Sequence, residues 1–173
     1  MKVILYMAIS VNGMIARKND LTDWSEEESE SYMAKVKECG NIIIGRRTYE
    51  LMQEDENQDA DIDALGNPQI VVLSTGSSLK NDDKVEFVNN PREAVDFLNE
   101  KGFKVAMVAG GGQVDTVFVK SGLVDEIFLD IEPVIFGEGI PLFNPFGLEI
   151  NLELVGTKKI GKNGVQLHYK VLK

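Results

Sequence analysis

The chain has 173 residues, 43% of them hydrophobic, and a formal net charge of −10; this suits one packed domain and excludes the basic footprint that nucleic acid or an anionic membrane surface requires. One cysteine and one histidine, Cys39 and His168, exclude an internal disulfide and a Cys/His zinc site. No apolar run is long enough to span a bilayer, and the apolar start Lys2–Ile9 continues into VNGMIARKND without a cleavage pattern, so it reads as a buried strand of a cytoplasmic protein rather than a signal peptide.

In chain order, KVILYMAI (Lys2–Ile9) is the first strand, apolar on both faces. Ser25 is followed by Glu28 at capping-box spacing, in a first turn of three glutamates, and opens a helix to about Cys39. NIIIG (Asn41–Gly45) is a second strand, and Gln53–Pro68, acidic and aperiodic, reads as a solvated surface loop. QIVVLS (Gln69–Ser74) is a third strand, and KVEFV (Lys84–Val88), shorter and alternating, suits a sheet edge. Pro91 opens a helix that closes at Gly102, KVAMVAG (Lys104–Gly110) is another strand, and Gly112–Gly122 another helix. LVDEIFLDIEPVIF (Leu123–Phe136) is a long strand with Pro133 near its end. The alternating last quarter, with an Asn163-Gly164 turn signal, predicts an antiparallel hairpin. Together these predict an α/β domain whose mostly parallel sheet, covered on both faces, is made mixed by the hairpin.

Two strand-to-helix junctions carry the chemistry. VAGGGQV (Val108–Val114) ends a strand on Gly110-Gly111-Gly112, where helix-start N–H groups and the helix dipole attract an anion and the missing Cβ atoms let it approach. IIIGRRTYE (Ile42–Glu50) repeats the device at Gly45, with Thr48 and two arginines, Arg46 and Arg47, placed against the helix dipole. Two such cradles suit a dinucleotide, and LSTGSS (Leu73–Ser78) adds hydroxyls at a third strand end. A rival reading takes Gly110-x-Gly112-x-x-Asp115, with Asp130 twenty residues on, as a Rossmann fingerprint; Asp115 is too large for its third position, and little chain follows it.

The ordered set AISVNGMIA (Ala8–Ala16), Trp24, IIIGRRTYE, VVLST, VAGGGQV and GLVDEIFLDIEPVIFGEGIPLF (Gly122–Phe143) resembles the dihydrofolate reductase superfamily, closest to its riboflavin-biosynthesis reductase branch. The resemblance implies a three-layer fold around a mixed sheet of about eight strands, NADPH as cofactor, and a homodimer. It places nicotinamide near Ala8 and Ile15. Gly45 to Thr48 and Gly110, Gly111, Gly112, Gln113 and Val114 would flank the pyrophosphate, and Arg46, Arg47, Ser74 and Thr75 would face the adenosine and its 2′-phosphate. It also implies hydride delivery to a phosphoribosylamino-pyrimidine. The zinc motif of the deaminase module often fused to that reductase needs cysteines and a histidine beyond those here.

Dihydrofolate reductases carry an acid five positions after the tryptophan, and here that position is Ser29. Ser29, Tyr32, Met33 and Val36 share a helical stripe, so Ser29 is expected to face inward and Glu28 to serve the helix cap. Asp130, amid apolar neighbours, faces either the cleft as a proton relay or solvent beyond the sheet edge. Trp24 shields the site from water; Tyr6, Met33, Leu51 and Met52 line a flat heterocycle pocket. His168 has a structural or exposed role. No second basic cluster marks a substrate phosphate; Arg17, Lys18, Lys158 and Lys159 are candidates with surface character. The alternatives are dihydrofolate reductase activity and a non-catalytic nucleotide-binding protein, the latter motivated by the missing helix acid.

Overall fold

A computed structural model describes residues 1–54, 62–75, 83–145 and 147–173. An eight-stranded sheet is ordered β5-β4-β3-β6-β1-β7-β10-β9. Its strands are β1 (Lys2–Ser10), β3 (Asn41–Gly45), β4 (Gln69–Leu73), β5 (Val85–Val88), β6 (Val105–Val108), β7 (Glu126–Glu132), β9 (Leu152–Ile160) and β10 (Gly164–Val171). The run from β5 to β7 is parallel, and β10 then pairs antiparallel with both β7 and β9. Strand KVEFV forms the β5 edge, as its alternation suggested.

The period-2 rule sorts the core into two layers. Val3, Leu5, Ile43 and Val71 point to one face, under α3 (Pro91–Glu100) and α4 (Gly112–Lys120). Ile4, Tyr6, Ile42, Ile44 and Val72 point to the other, under α1 (Glu26–Cys39) and α2 (Arg46–Glu54). This is the three-layer, dihydrofolate reductase-like architecture, and its strand order excludes the Rossmann reading.

Three local features differ from expectation. The long strand ends at Glu132, and two short strands too brief to register by periodicity, β2 (Met14–Arg17) and β8 (Gly139–Pro141), form a separate antiparallel pair. Asn12 ties them to the main sheet: its Oδ1 accepts from Phe136 N at 3.1 Å and its Nδ2 donates to Phe136 O at 2.7 Å. The hairpin turn spans three residues, since Gly164 pairs with Ile160, and its left-handed residue is Gly161 at φ +49°, not the Asn163-Gly164 pair. In the expected acidic loop, α2 runs on to Glu54, and residues 55–61 lie outside the described residues.

Candidate functional site

The parallel strands β4, β3, β6 and β1 end on one side of a cleft of about 1160 Å³, where side chains and turns from both helical layers meet. The two glycine turns are in contact there: Gly45 N donates to Gly110 O at 2.9 Å. The three consecutive glycines meet three separate demands. Gly110 has φ +91°, which L side chains rarely adopt. A Cβ on Gly112 would lie 2.3 Å from Pro141 O, so this glycine lets α4 pack against the backbone of β8. Gly111 opens on the cleft with room to spare, since a Cβ would stand 3.6 Å from Ile15 Cδ1 and 3.8 Å from Thr48 Oγ1. Gly111 is also the N-cap of α4 and makes no side-chain cap bond, which leaves that helix start to a ligand.

Around these turns the cleft collects Gly45, Arg46, Arg47 and Thr48 from the start of α2, and Gly111, Gly112, Gln113 and Val114 from the start of α4. Ala8 and Ile15 line its floor, and Ser74 and Thr75 its β4 end. Gly110 lies behind the wall, and Gly76, Ser77 and Ser78 lie outside the described residues. The arginines are not a bare pair. Arg46 Nε donates to Glu50 at 2.7 Å, and Arg47 reaches Asp20 Oδ2 at 3.1 Å. Both pairs are solvent-exposed and therefore weak, so a phosphate can displace either carboxylate.

Trp24, Tyr32 and Met33 form a second arm of the cleft, and Leu51 and Met52 reach it from α2, one turn beyond Arg47 and Thr48. Trp24 stacks on Phe136 with ring centroids 5.5 Å apart, which fixes the loop carrying it. Tyr6 also lines this cleft, though its side chain is almost wholly buried beneath it.

The acidic groups are arranged differently from the sequence expectation. Ser29 is exposed at the mouth, its Oγ donating to Ser25 O at 3.1 Å; it does not face inward. Glu28 is the buried residue, 3% exposed, and it lines the cleft. Only half of the capping box forms: Ser25 Oγ accepts from Glu28 N at 3.2 Å, but Ser25 N and Oγ donate to Glu132, at 3.2 and 2.9 Å. Glu28 is therefore released from the cap. Burial, and then the neighbouring Asp130 and Glu132, push its pKa up to about 8. The sequence signal for it is the ladder Glu28-Tyr32-Val36 at i, i+4, i+8, one residue out of register with the stripe through Ser29.

Asp130 faces neither the cleft nor solvent. It is 1% exposed behind Glu28, accepts from Tyr6 Oη in a short hydrogen bond and from Gln166 Nε2 at 2.7 Å. Tyr6 Oη also meets Ser31 Oγ at 2.8 Å, which ties β1, β7 and β10 to α1. Burial holds the Asp130 carboxyl above its ordinary range, against the lowering effect of these donors. Asp115, in the first turn of α4, is fully buried, and neither of its oxygens has a hydrogen-bond partner of good geometry. Burial raises its pKa well above the usual carboxylate range, and the backbone at Gly110 offsets only part of that. His168 stacks on Phe128 at 4.1 Å and meets Glu126 Oε2 at 2.9 Å; it does not line the cleft.

Residues 1–166 match the RibD C-terminal domain model. The chain belongs to the RibD C-terminal domain family. The uncharacterized protein YwjB of Bacillus subtilis (strain 168) is 33% identical over 174 residues, covering 97% of each chain. A pyrimidine reductase-like protein of Corynebacterium diphtheriae has the same fold at 17% identity, with a TM-score of 0.75 over 99% of this chain and 92% of its own. So does the diaminohydroxyphosphoribosylaminopyrimidine deaminase/5-amino-6-(5-phosphoribosylamino)uracil reductase of Thermotoga maritima, at 15% identity and a TM-score of 0.72. This RibD C-terminal domain covers 56% of that longer chain.

Proposed function

We propose that this RibD C-terminal domain is an NADPH-dependent reductase that transfers hydride to a pyrimidine- or pteridine-type heterocycle. The observation that carries the reading is the junction of the two glycine turns: Gly45 N bonds Gly110 O at 2.9 Å, and both turns open on one cleft beside Arg46 and Arg47. Two helix starts so placed supply converging N–H groups for a pyrophosphate, and the arginines supply forked donors for a 2′-phosphate. The residues fit the cofactor, because Gly111 leaves open the space a side chain would fill against Thr48. Bound there, NADPH supplies the hydride.

The protein's own contribution is alignment, exclusion of water and a proton. Ala8 and Ile15 form a flat floor between the two arms, and Trp24, held against Phe136, covers the side facing solvent. Glu28 holds a proton at its carboxyl near neutral pH and presents it to the substrate arm, as a general acid requires. With a carboxyl in that place, the missing helix acid no longer favours a non-catalytic role. The name of the Thermotoga relative supports the reductase reading. A homodimer belongs to the same proposal. Its contact is the exposed edge of β9, where Leu152, Leu154 and Val155 stand 40%, 55% and 54% exposed beside an open strand ladder.

The test is a fluorescence titration of Trp24 with NADPH, followed by nicotinamide absorbance with ribosylamino-pyrimidines, pterins and dihydrofolate. Oxidation of NADPH by one of these is the expected result. NADPH binding without turnover on any of them refutes the catalytic reading.

A further inference from the structure

Two carboxyl groups of β7 anchor α1. Asp130 and Glu132 alternate to the same face of the strand. Asp130 reaches Ser31 of α1 through Tyr6 Oη. Glu132, 6% exposed and in register with Ser10 of β1, accepts from Ser25 N at 3.2 Å and from Ser25 Oγ at 2.9 Å. The hairpin turn closes over this second anchor: a Cβ on Gly164 would lie 3.4 Å from Glu132 Oε1, and one on Gly161 would lie 2.8 Å from Glu27 Cδ.

Ser25 is the N-cap of α1, and Glu28 is the third residue of the helix. From that position a glutamate ordinarily folds back to accept from the N-cap N–H. Two carboxyl groups therefore compete for one donor, and the one on the sheet holds it. The single proton of the Ser25 hydroxyl also points to Glu132, which turns its lone pairs to Glu28 N at 3.2 Å. The helix start is capped without the Glu28 side chain, and Glu28 lines the cleft instead. Folded back into the cap, the same carboxyl would meet N–H groups and the helix dipole, both of which favour its ionised form.

We propose that Glu132 is a positioning residue for Glu28: by taking the Ser25 N–H from the sheet, it keeps the Glu28 carboxyl out of the helix cap and at the substrate arm of the cleft. The inference rests on the reading of Glu28 as the proton donor. Glu132 does not line the cleft and acts only through Glu28. The groups facing Glu28 are Asp130 and Glu132 from β7, Tyr6 from β1 and Tyr32 on its own helix, with Lys158 of β9 acting on Asp130. Removing the Glu132 charge by itself therefore also favours ionisation of Glu28, so the test separates loss of charge from loss of the acceptor.

The full chain, carrying ¹³C-labelled glutamate carboxyls, is titrated by NMR, with the Glu28 signal identified by its loss in Glu28→Gln. Native Glu28 should titrate at about 8. Glu132→Gln drops the charge but keeps an oxygen for Ser25 N, and Glu28 should stay above about 7. Glu132→Ala, and Glu132→Leu, which keeps the volume, leave Ser25 N to Glu28, whose titration should fall below about 6, towards the ordinary ~4.3. Equal values in the Gln and Ala variants overturn the proposal, because Glu132 then acts by charge alone; so does a native value retained in Ala and Leu, or an ordinary value in the native chain. In NADPH oxidation, the pH above which kcat falls should drop with Glu132→Ala and be recovered with Glu132→Gln. No turnover by the native chain on any substrate, with the titrations as expected, overturns the reductase reading and not the role of Glu132.

Discussion

Replacing Glu28 by Gln tests the placement of the buried acid without reference to any substrate. Glu28 is 3% exposed and its pKa is pushed from 4.5 to about 8 by burial and by Asp130 and Glu132. The folded state therefore holds this proton to higher pH than the unfolded state does. Stability linked to Glu28 is fully present below about pH 4.5 and is lost as pH rises through 8. At about 1.4 kcal/mol per pKa unit the shift corresponds to ~5 kcal/mol as an upper bound, and to roughly 2–3 kcal/mol once water at the cleft mouth screens the carboxyl. Glutamine keeps the shape and removes the titration. Urea unfolding of both proteins at pH 5, 6, 7 and 8 should give similar stabilities at pH 5. A gap in favour of the variant should then widen by up to about 1.4 kcal/mol per pH unit. Because only the difference between the two is read, other titrating groups such as Asp115 cancel. Parallel curves from pH 5 to 8 would refute the reasoning.

The remaining predictions address single groups. Gly111→Ala should leave the urea midpoint nearly unchanged, since its Cβ has room, yet weaken NADPH at least tenfold; Gly112→Ala should lose on the order of 2–3 kcal/mol of stability, because its Cβ meets the Pro141 carbonyl. The contrast fails if both variants behave alike in the two assays. Asp115→Asn should match the native protein near pH 4 and exceed its stability at pH 8 by about 1–3 kcal/mol, since an unpaired buried carboxyl loses ground as pH rises; thermal melts at the two pH values check the sign. Leu154→Glu on the open edge of β9 should convert a dimer to a monomer in light scattering while leaving the monomer folded; a native protein that is monomeric at high concentration would refute that contact.

Much of the fold could be read because it rests on local signals. β-branched runs such as Ile42-Ile43-Ile44 fill both faces of a buried strand, and Gly45 and Gly110–Gly112 mark where such strands end. What escaped depends on partners far along the chain. Tyr6 and Asp130 meet across 124 residues, and Gln166 reaches Asp130 across 36, so no spacing in the sequence pairs them. The carboxylate on Arg47 comes from Asp20, in a loop 27 residues earlier. Glu28 lies one residue out of register with the expected stripe, because α1 offers two stripes that both pass through Val36 and only tertiary packing chooses between them. β2 and β8 are too short for periodicity to register; they exist because Asn12 and the close approach at Gly139, whose Cβ would lie 2.5 Å from Ala16 O, hold them together.

The central claim is that the two joined turns and the arginine pair hold a coenzyme carrying a 2′-phosphate. Its most direct test compares NADPH and NADH dissociation constants for the native chain and for Arg46→Ala/Arg47→Ala. The account predicts that native protein prefers NADPH and that the double variant loses NADPH affinity at least tenfold while NADH changes less than twofold. Equal losses for the two nucleotides, or no binding of either to the native chain, would contradict it.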